Sequence, residues 1–201
     1  VKASSTLAEK YEEEHKTNGL IFSQIFNSSS GINRLNQFIM GENITKDENP
    51  AYGSIQKLNA RDSDMTVLCE DKCLNILANK DALFNADGNA NVTSNTAALG
   101  HSVPYVGEFG ISKDPTSFAT YGFRSYFTDK ARGVVLRLSR NGLEPISAHG
   151  MLDYFRDKLA ETDIAIGAFN VKKGLYDISL QSSSVRGLDD TLPTAWEEAF
   201  D

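Results

Sequence analysis

The chain is poor in the residues that metal and nucleophile chemistry needs. Its 201 residues include 2 cysteines and 3 histidines. A structural zinc site takes four ligands, and His15, His101 and His149 are scattered along the sequence, away from Cys69 and Cys73. The Cys-Glu-Asp-Lys-Cys spacing is not the Cys-x-x-Cys of redox enzymes either. If Glu70 and Asp71 sit in a hairpin turn, the two thiols lie near opposing strand ends, where oxidation is one outcome. Two reduced, partly buried thiols packing as small hydrophobes is the plainer expectation.

An excess of basic charge is also missing. Lys and Arg number 20 against 27 Asp and Glu, a formal net charge of -7. That balance argues against general electrostatic binding to nucleic acid or to an anionic membrane, and it favours solubility. No apolar run approaches the ~18 residues that suggest a membrane span. Residues 1–5 are polar and the following stretch is acidic, which does not read as a secretory leader. The start at Val1 rather than Met reads as a processed, trimmed or partial chain.

Motifs of catalysis and ligand binding are equally scarce. There is no Gly-x-Ser-x-Gly, and His149 stands beside Gly150 at an expected helix start, a surface position. The glycines of Gly107-Glu108-Phe109-Gly110 are followed by no Lys-Ser or Lys-Thr and open no helix, so a tight bend is expected there rather than a phosphate loop. Residues 85–91, Asn-Ala-Asp-Gly-Asn-Ala-Asn, suggest a calcium loop, but placing Gly88 sixth puts Leu83 first, so a polar turn joining strands is expected. Acidic β proteins contain many carboxylate pairs, and nothing in the sequence singles one out for glycoside cleavage. No catalytic, cofactor-binding or metal-ligating residue is therefore assigned, no cofactor is implied, and the chain does not read as an enzyme.

What is present is β pattern. Hydrophobic residues make up 40% and charged residues 23%, as in a soluble globular protein with one substantial core or two small ones. Residues 122–139 run Gly-Phe-Arg-Ser-Tyr-Phe-Thr-Asp-Lys-Ala-Arg-Gly-Val-Val-Leu-Arg-Leu-Ser. Phe123, Ser125 and Phe127 alternate onto one face, as do Leu136 and Leu138, across a charged turn ending in glycine. A second hairpin is expected from residues 65–69 and 73–77 around Glu70-Asp71-Lys72, and a third from 164–169 and 175–180 around 170–174. Upstream, residues 20–26 and 32–40 read as strand and return strand around the turn cluster 27–31, and 41–53 as a polar loop. The turn at Lys172 follows that at Lys130 by about the ~40–45 residues of a propeller blade, while the longer gap from Lys72 to Lys130 requires an insertion.

Helix is sparse. Asp114-Pro115 starts a short turn with Asp as cap and Pro first. Met151, Tyr154, Phe155, Lys158 and Leu159 form one amphipathic stripe, and residues 193–200, with Trp196 and Phe200 on one side, read as a terminal helix. The expected fold is mainly β: an antiparallel hairpin meander, with part of a β-propeller as one form of it, and short peripheral helices. The expected organisation is a charged N-terminal arm over 1–18, a β-rich domain over 19–185, and a C-terminal tail or docking helix over 186–201. Arg124, Arg132, Arg137 and Arg140 gather near the central hairpin. They suit a carboxylate or phosphate ligand, and cross-strand pairing with Asp129 and Glu144 is the more ordinary reading.

Several of these segments resemble large virion structural proteins of tailed bacteriophages, of the uncharacterised marine and gut phage type. The resemblance lies in Leu68-Cys69-Glu70-Asp71-Lys72-Cys73-Leu74 with residues 77–88, in Val106-Gly107-Glu108-Phe109-Gly110-Ile111-Ser112, in residues 126–139 and, upstream, in 25–38. It covers roughly residues 20 to 180 and consists of strand-and-turn motifs, with no active site among them. It implies a structural role in a virion, in the tail or baseplate region, with other virion subunits or a second copy as partners and with no nucleic acid or membrane. Members of that family are much longer, and a closed propeller needs at least about four blades where three hairpins are counted here. Two other functions fit the composition. One is a module that binds a host-surface glycan or receptor through polar loops such as 85–102. The other is a tail-associated glycosidase with two carboxylates in a cleft.

Overall fold

The computed structural model describes residues 15–24, 26–27, 29–39, 41, 43–61, 64–84 and 90–182. Strands dominate, and those of the central hairpins form where the sequence alternates or runs apolar between turn residues. Four short strands come first: β1 (Gly19–Ile21), β2 (Phe26–Asn27), β3 (Ile32–Asn33) and β4 (Thr45–Asp47). β1 pairs antiparallel with β4, and β2 with β3. The expected strand over 20–26 is thus divided between two small sheets. The return strand over 32–40 is reduced to Ile32–Asn33, and the expected loop over 41–53 contributes β4. The physical reason is local: Gln37 N–H turns back onto the Arg34 carbonyl, and the Asn33 side chain accepts from Leu35 N–H, so polar residues close a turn where the strand would have continued.

Two four-stranded antiparallel meanders follow. The first comprises β5 (Ile55–Ala60), β6 (Asp64–Cys69), β7 (Cys73–Phe84) and β8 (Ala90–Pro104), in that spatial order. The second comprises β9 (Ala119–Tyr121), β10 (Arg124–Asp129), β11 (Val134–Ser139) and β12 (Gly142–Pro145), again in sequence order across the sheet. The expected pairing of 65–69 with 73–77 is present, with Leu68 opposite Cys73 and Met65 opposite Ile76. So is that of 123–127 with 134–138, with Phe127 opposite Leu136 and Ser125 opposite Leu138. Phe123 is the exception: it lies in the turn between β9 and β10 and is exposed, rather than on the strand face with Ser125 and Phe127.

The insertion required between the first and second hairpins is an extension of β7 and β8. Beyond Leu77, the last β7 residue paired to β6, these two strands continue as a two-stranded arm to Phe84 and Ala90. The apparent calcium loop is residues 85–91. Residues 85–89 lie outside the described residues, and Ala90 and Asn91 already belong to β8. From Ala90 to Pro104 the chain is strand, so the polar loop expected over 85–102 is in large part a strand.

The third hairpin is present as β13 (Thr162–Asn170) and β14 (Leu175–Ser182), paired from Asn170–Leu175 to Thr162–Ser182. A helix, α1 (Leu152–Glu161), connects the second meander to it. Of the stripe expected on that helix only Leu159 is buried, while Met151 and Tyr154 stay exposed. The short turn at Asp114 is a 3-10 turn, Pro115–Ser117, with Pro at its start; the Asp114 side chain makes no capping bond to it. The expected arm over 1–18 and the docking helix over 193–200 lie almost wholly outside the described residues, as does the tail over 186–201.

The elements stack in layers. Leu68 and Cys73 of the first meander meet Phe127, Val134, Leu136 and Leu138 of the second, with Ile111 of the connecting segment between them. On the other face of the first meander, Val67, Cys69, Leu74 and Ile76 pack against Leu20 of β1 and against Tyr52. The other face of the second meander meets the β13–β14 hairpin: Tyr121 and Tyr126 stack on Phe169, and Tyr126 also stacks on Tyr176. The order is therefore β1–β4, first meander, second meander, β13–β14 hairpin. Burying each large side chain of these interfaces contributes roughly 1.5–3 kcal/mol.

Candidate functional site

The two meanders share a device at the turn between their middle strands. Glu70 follows β6, and its carboxylate accepts from both the hydroxyl and the backbone N–H of Ser54. Asp129 ends β10, and its carboxylate accepts from the Ser112 hydroxyl at 2.8 Å, Gly110 N–H at 3.1 Å, Arg132 N–H at 3.2 Å and the Arg132 guanidinium at 3.0 Å. In each unit a serine, 16 or 17 residues upstream of the acid, fastens the incoming segment to the turn. Asp129 is fully buried and its ionised form is compensated by these donors. The third hairpin has no such acid: Asn170 fills the turn, accepting from Lys173 N–H. The repeat therefore links the first two units and not the third.

Arg132 ties the two turns together. Its guanidinium reaches Asp71 at 3.3 Å as well as Asp129. The segment between meanders runs in close contact with both turns, with Ile111 N–H on the Cys69 carbonyl and Ser112 N–H on that of Glu70. Gly110 is required by this approach, since a Cβ there would stand 2.0 Å from the Glu70 carbonyl oxygen. The glycines expected to serve a tight bend therefore do so, Gly107 through a positive φ of 99° and Gly110 through proximity.

A groove of about 500 Å³ opens beside these turns, lined in part by Glu70, Ser112, Lys113, Asp114, Lys130 and Asp163. It does bring carboxylates into a cleft, and two of them are engaged, Glu70 by Ser54 and Asp71 by Arg132. The Ser54 hydroxyl, ahead of smaller effects, holds the Glu70 carboxyl below its ordinary range. Burial pushes Asp114 up, opposed by Lys130 and by a hydrogen bond from the Ala165 backbone. Both acids anchor the chain. No three His, Cys, Asp or Glu side chains among the described residues gather as a metal-ligand set.

The cysteines are free and buried. They cannot bridge in this register: Cys73 stands opposite Leu68 on the face toward the second meander, whereas Cys69 points into the core beneath β1. Burial raises the Cys69 thiol to about 11 and raises Cys73 also. His149 is exposed at 3.3 Å from Glu144, as its surface assignment requires.

The four arginines separate. Arg137 pairs with Glu144 across β11 and β12, so the cross-strand reading holds there, whereas Arg132 meets its expected partner Asp129 within the β10–β11 turn rather than across strands. Arg124 and Arg140 make no ion pair among the described residues. They lie at the opposite end of the second meander, where Arg140 sits 4.0 Å above the Phe123 ring. Sequence reasoning did not distinguish the pairs, because strand register decides which end of the sheet each arginine occupies.

The outer layers expose apolar side chains. On β13 and β14, Ile164, Ile166 and Leu175 face away from the second meander and are 40%, 53% and 53% exposed. In the β2–β3 region Phe26, Ile32, Leu35 and Phe38 are each more than half exposed. These outer layers are two-stranded sheets, so each strand leaves one edge unpaired within its sheet. No helix among the described residues is long and apolar enough to cross a membrane. Compared with protein-family models and with curated proteins, the chain matches none.

Proposed function

We propose that this chain is a structural component of a tailed-phage virion, in the tail or baseplate region, acting through protein–protein assembly. The observation that carries the reading is the outward face of the β13–β14 hairpin, a two-stranded sheet to which no further strand pairs among the described residues and on which Ile164, Ile166 and Leu175 are exposed. Exposed apolar side chains on one sheet face suit a partner surface, and a sheet of two strands suits strand addition. The resemblance of residues 20–180 to large virion proteins supplies the kind of assembly. The groove at the acid turns fits the same reading, since Asp71 in its lining accepts from Arg132 of the other meander's turn and so helps fasten the layers.

The test is chemical cross-linking of intact particles followed by mass spectrometry. Cross-links from Lys172 or Lys173, beside the outer hairpin, to a neighbouring subunit are expected. Absence of the chain from purified particles would overturn the proposal.

A further inference from the structure

We propose that the end of the second meander opposite the acid turns is a binding site for a carboxylated sugar, such as a uronate residue of an acidic glycan. The groove there has a volume of about 350 Å³ and is lined by Phe123, Arg124, Arg137, Ser139, Arg140 and Asn141. Its position follows from the topology: the β9–β10 turn supplies Phe123, and the β11–β12 turn supplies Arg140 and Asn141.

Three observations point to an anionic ligand. First, in a chain with 27 acidic and 20 basic residues, Arg124 and Arg140 have no carboxylate partner among the described residues. Second, Arg137, which gives its Nη2 to Glu144, lines the same groove and brings a third guanidinium beside those of Arg124 and Arg140. Third, the β13–β14 tip with Lys172 and Lys173 lies at the same end, because Phe169, just before the tip, stacks on Tyr121, the register partner of Arg124. Among the described residues Glu144 and Asp64 are acids near this end, and each already pairs with an arginine, Arg137 and Arg61 respectively.

The ligand's remaining features follow from the other lining groups. Planar guanidinium forks suit a planar carboxylate. Phe123 is exposed although Arg140 covers one face of its ring, so an aromatic surface remains for the apolar face of a sugar ring. Ser139 and Asn141 supply polar groups for ring hydroxyls. A long nucleic-acid polyanion is disfavoured because the groove is small and the chain carries a net charge of -7. The inference goes beyond the assembly reading and does not depend on it.

The test is calorimetric titration of the whole chain with a trigalacturonate oligosaccharide, its carboxyl-reduced neutral counterpart and inorganic phosphate, at moderate and high salt. Saturable binding of the uronate is expected, weakened by salt and absent for the neutral sugar. Arg124→Ala and Arg140→Ala should each weaken it about tenfold, the loss of one charge-assisted hydrogen-bonded contact. Phe123→Ala should weaken the uronate while leaving any phosphate binding unchanged. Both arginines are exposed, so these variants should keep the wild-type unfolding midpoint, and Arg124→Lys should retain part of the affinity. No saturable uronate binding, equal binding of the neutral sugar, or insensitivity to the arginine variants would overturn the proposal. Phosphate binding as tight as uronate would overturn the sugar assignment.

Discussion

The Ser112 hydroxyl donates to the buried Asp129 carboxylate at 2.8 Å, joining the segment that leaves the first meander to the turn of the second. The same carboxylate accepts from Gly110 N–H and the Arg132 guanidinium. Asp129→Ala removes the common acceptor of all these donors, so we expect a loss of about 3 kcal/mol, as for breaking a buried, hydrogen-bonded charge. Ser112→Ala should cost less, about 1 kcal/mol. Urea unfolding midpoints measure both, and equal, negligible effects would contradict the assigned role of the turn.

Gly110→Ala and Gly167→Ala test the close approaches between layers. A Cβ at Gly110 would press on the Glu70 carbonyl, and one at Gly167 would stand 2.1 Å from the Ser117 carbonyl oxygen. Both variants should be strongly destabilised, because backbone rather than a pliable side chain stands in the way. Gly167→Ala should in addition loosen the β13–β14 hairpin, seen as faster amide exchange in β13 than in β11.

Thiol chemistry checks the register of β6 and β7. Cys69 and Cys73 should resist an alkylating reagent in the folded protein and react fully in denaturant, since burial keeps both protonated well above neutral pH. Mild oxidation should yield no intramolecular disulfide. A native disulfide between them would require a register in which both point to one face.

The acid turn also predicts a pH dependence. The folded-state pKa of Glu70 is lowered, chiefly by the Ser54 hydroxyl. Its contribution is therefore present above the ordinary glutamate value and lost as pH falls through the lowered folded value. Ser54→Ala should be less stable than wild type at pH 7, with the gap narrowing toward pH 3. Midpoints at the two pH values check this, and a gap that widens in acid has the wrong sign.

Much of the fold is legible in the sequence. Alternation in 123–127, 134–138 and 65–77 specifies hairpins in the observed register, because a slip by one residue would turn Phe127, Leu136 and Leu68 to the wrong face. Two things are not legible. The division of 20–26 between two small sheets depends on long-range pairing of Leu20 with Lys46. The shared serine–acid clasp is hidden because Glu70 and Asp129 differ in length and in position relative to the strand end. The arginine groove was visible as a cluster but not as a site, since only the topology separates Arg124 and Arg140 from the paired Arg132.

The central claim is that the outer layers are assembly surfaces, and sedimentation velocity of the isolated chain tests it most directly. The comparison is with a variant carrying Ile166→Glu and Leu175→Glu, both on the outward face of the hairpin. The account predicts that the wild type sediments as an associated species at micromolar concentration or co-sediments with a larger virion subunit, and that the variant, with an unchanged circular dichroism spectrum, is a monomer that no longer does so. A wild type that remains a compact monomer at all concentrations, with the variant identical to it and no partner in purified particles, would contradict the claim.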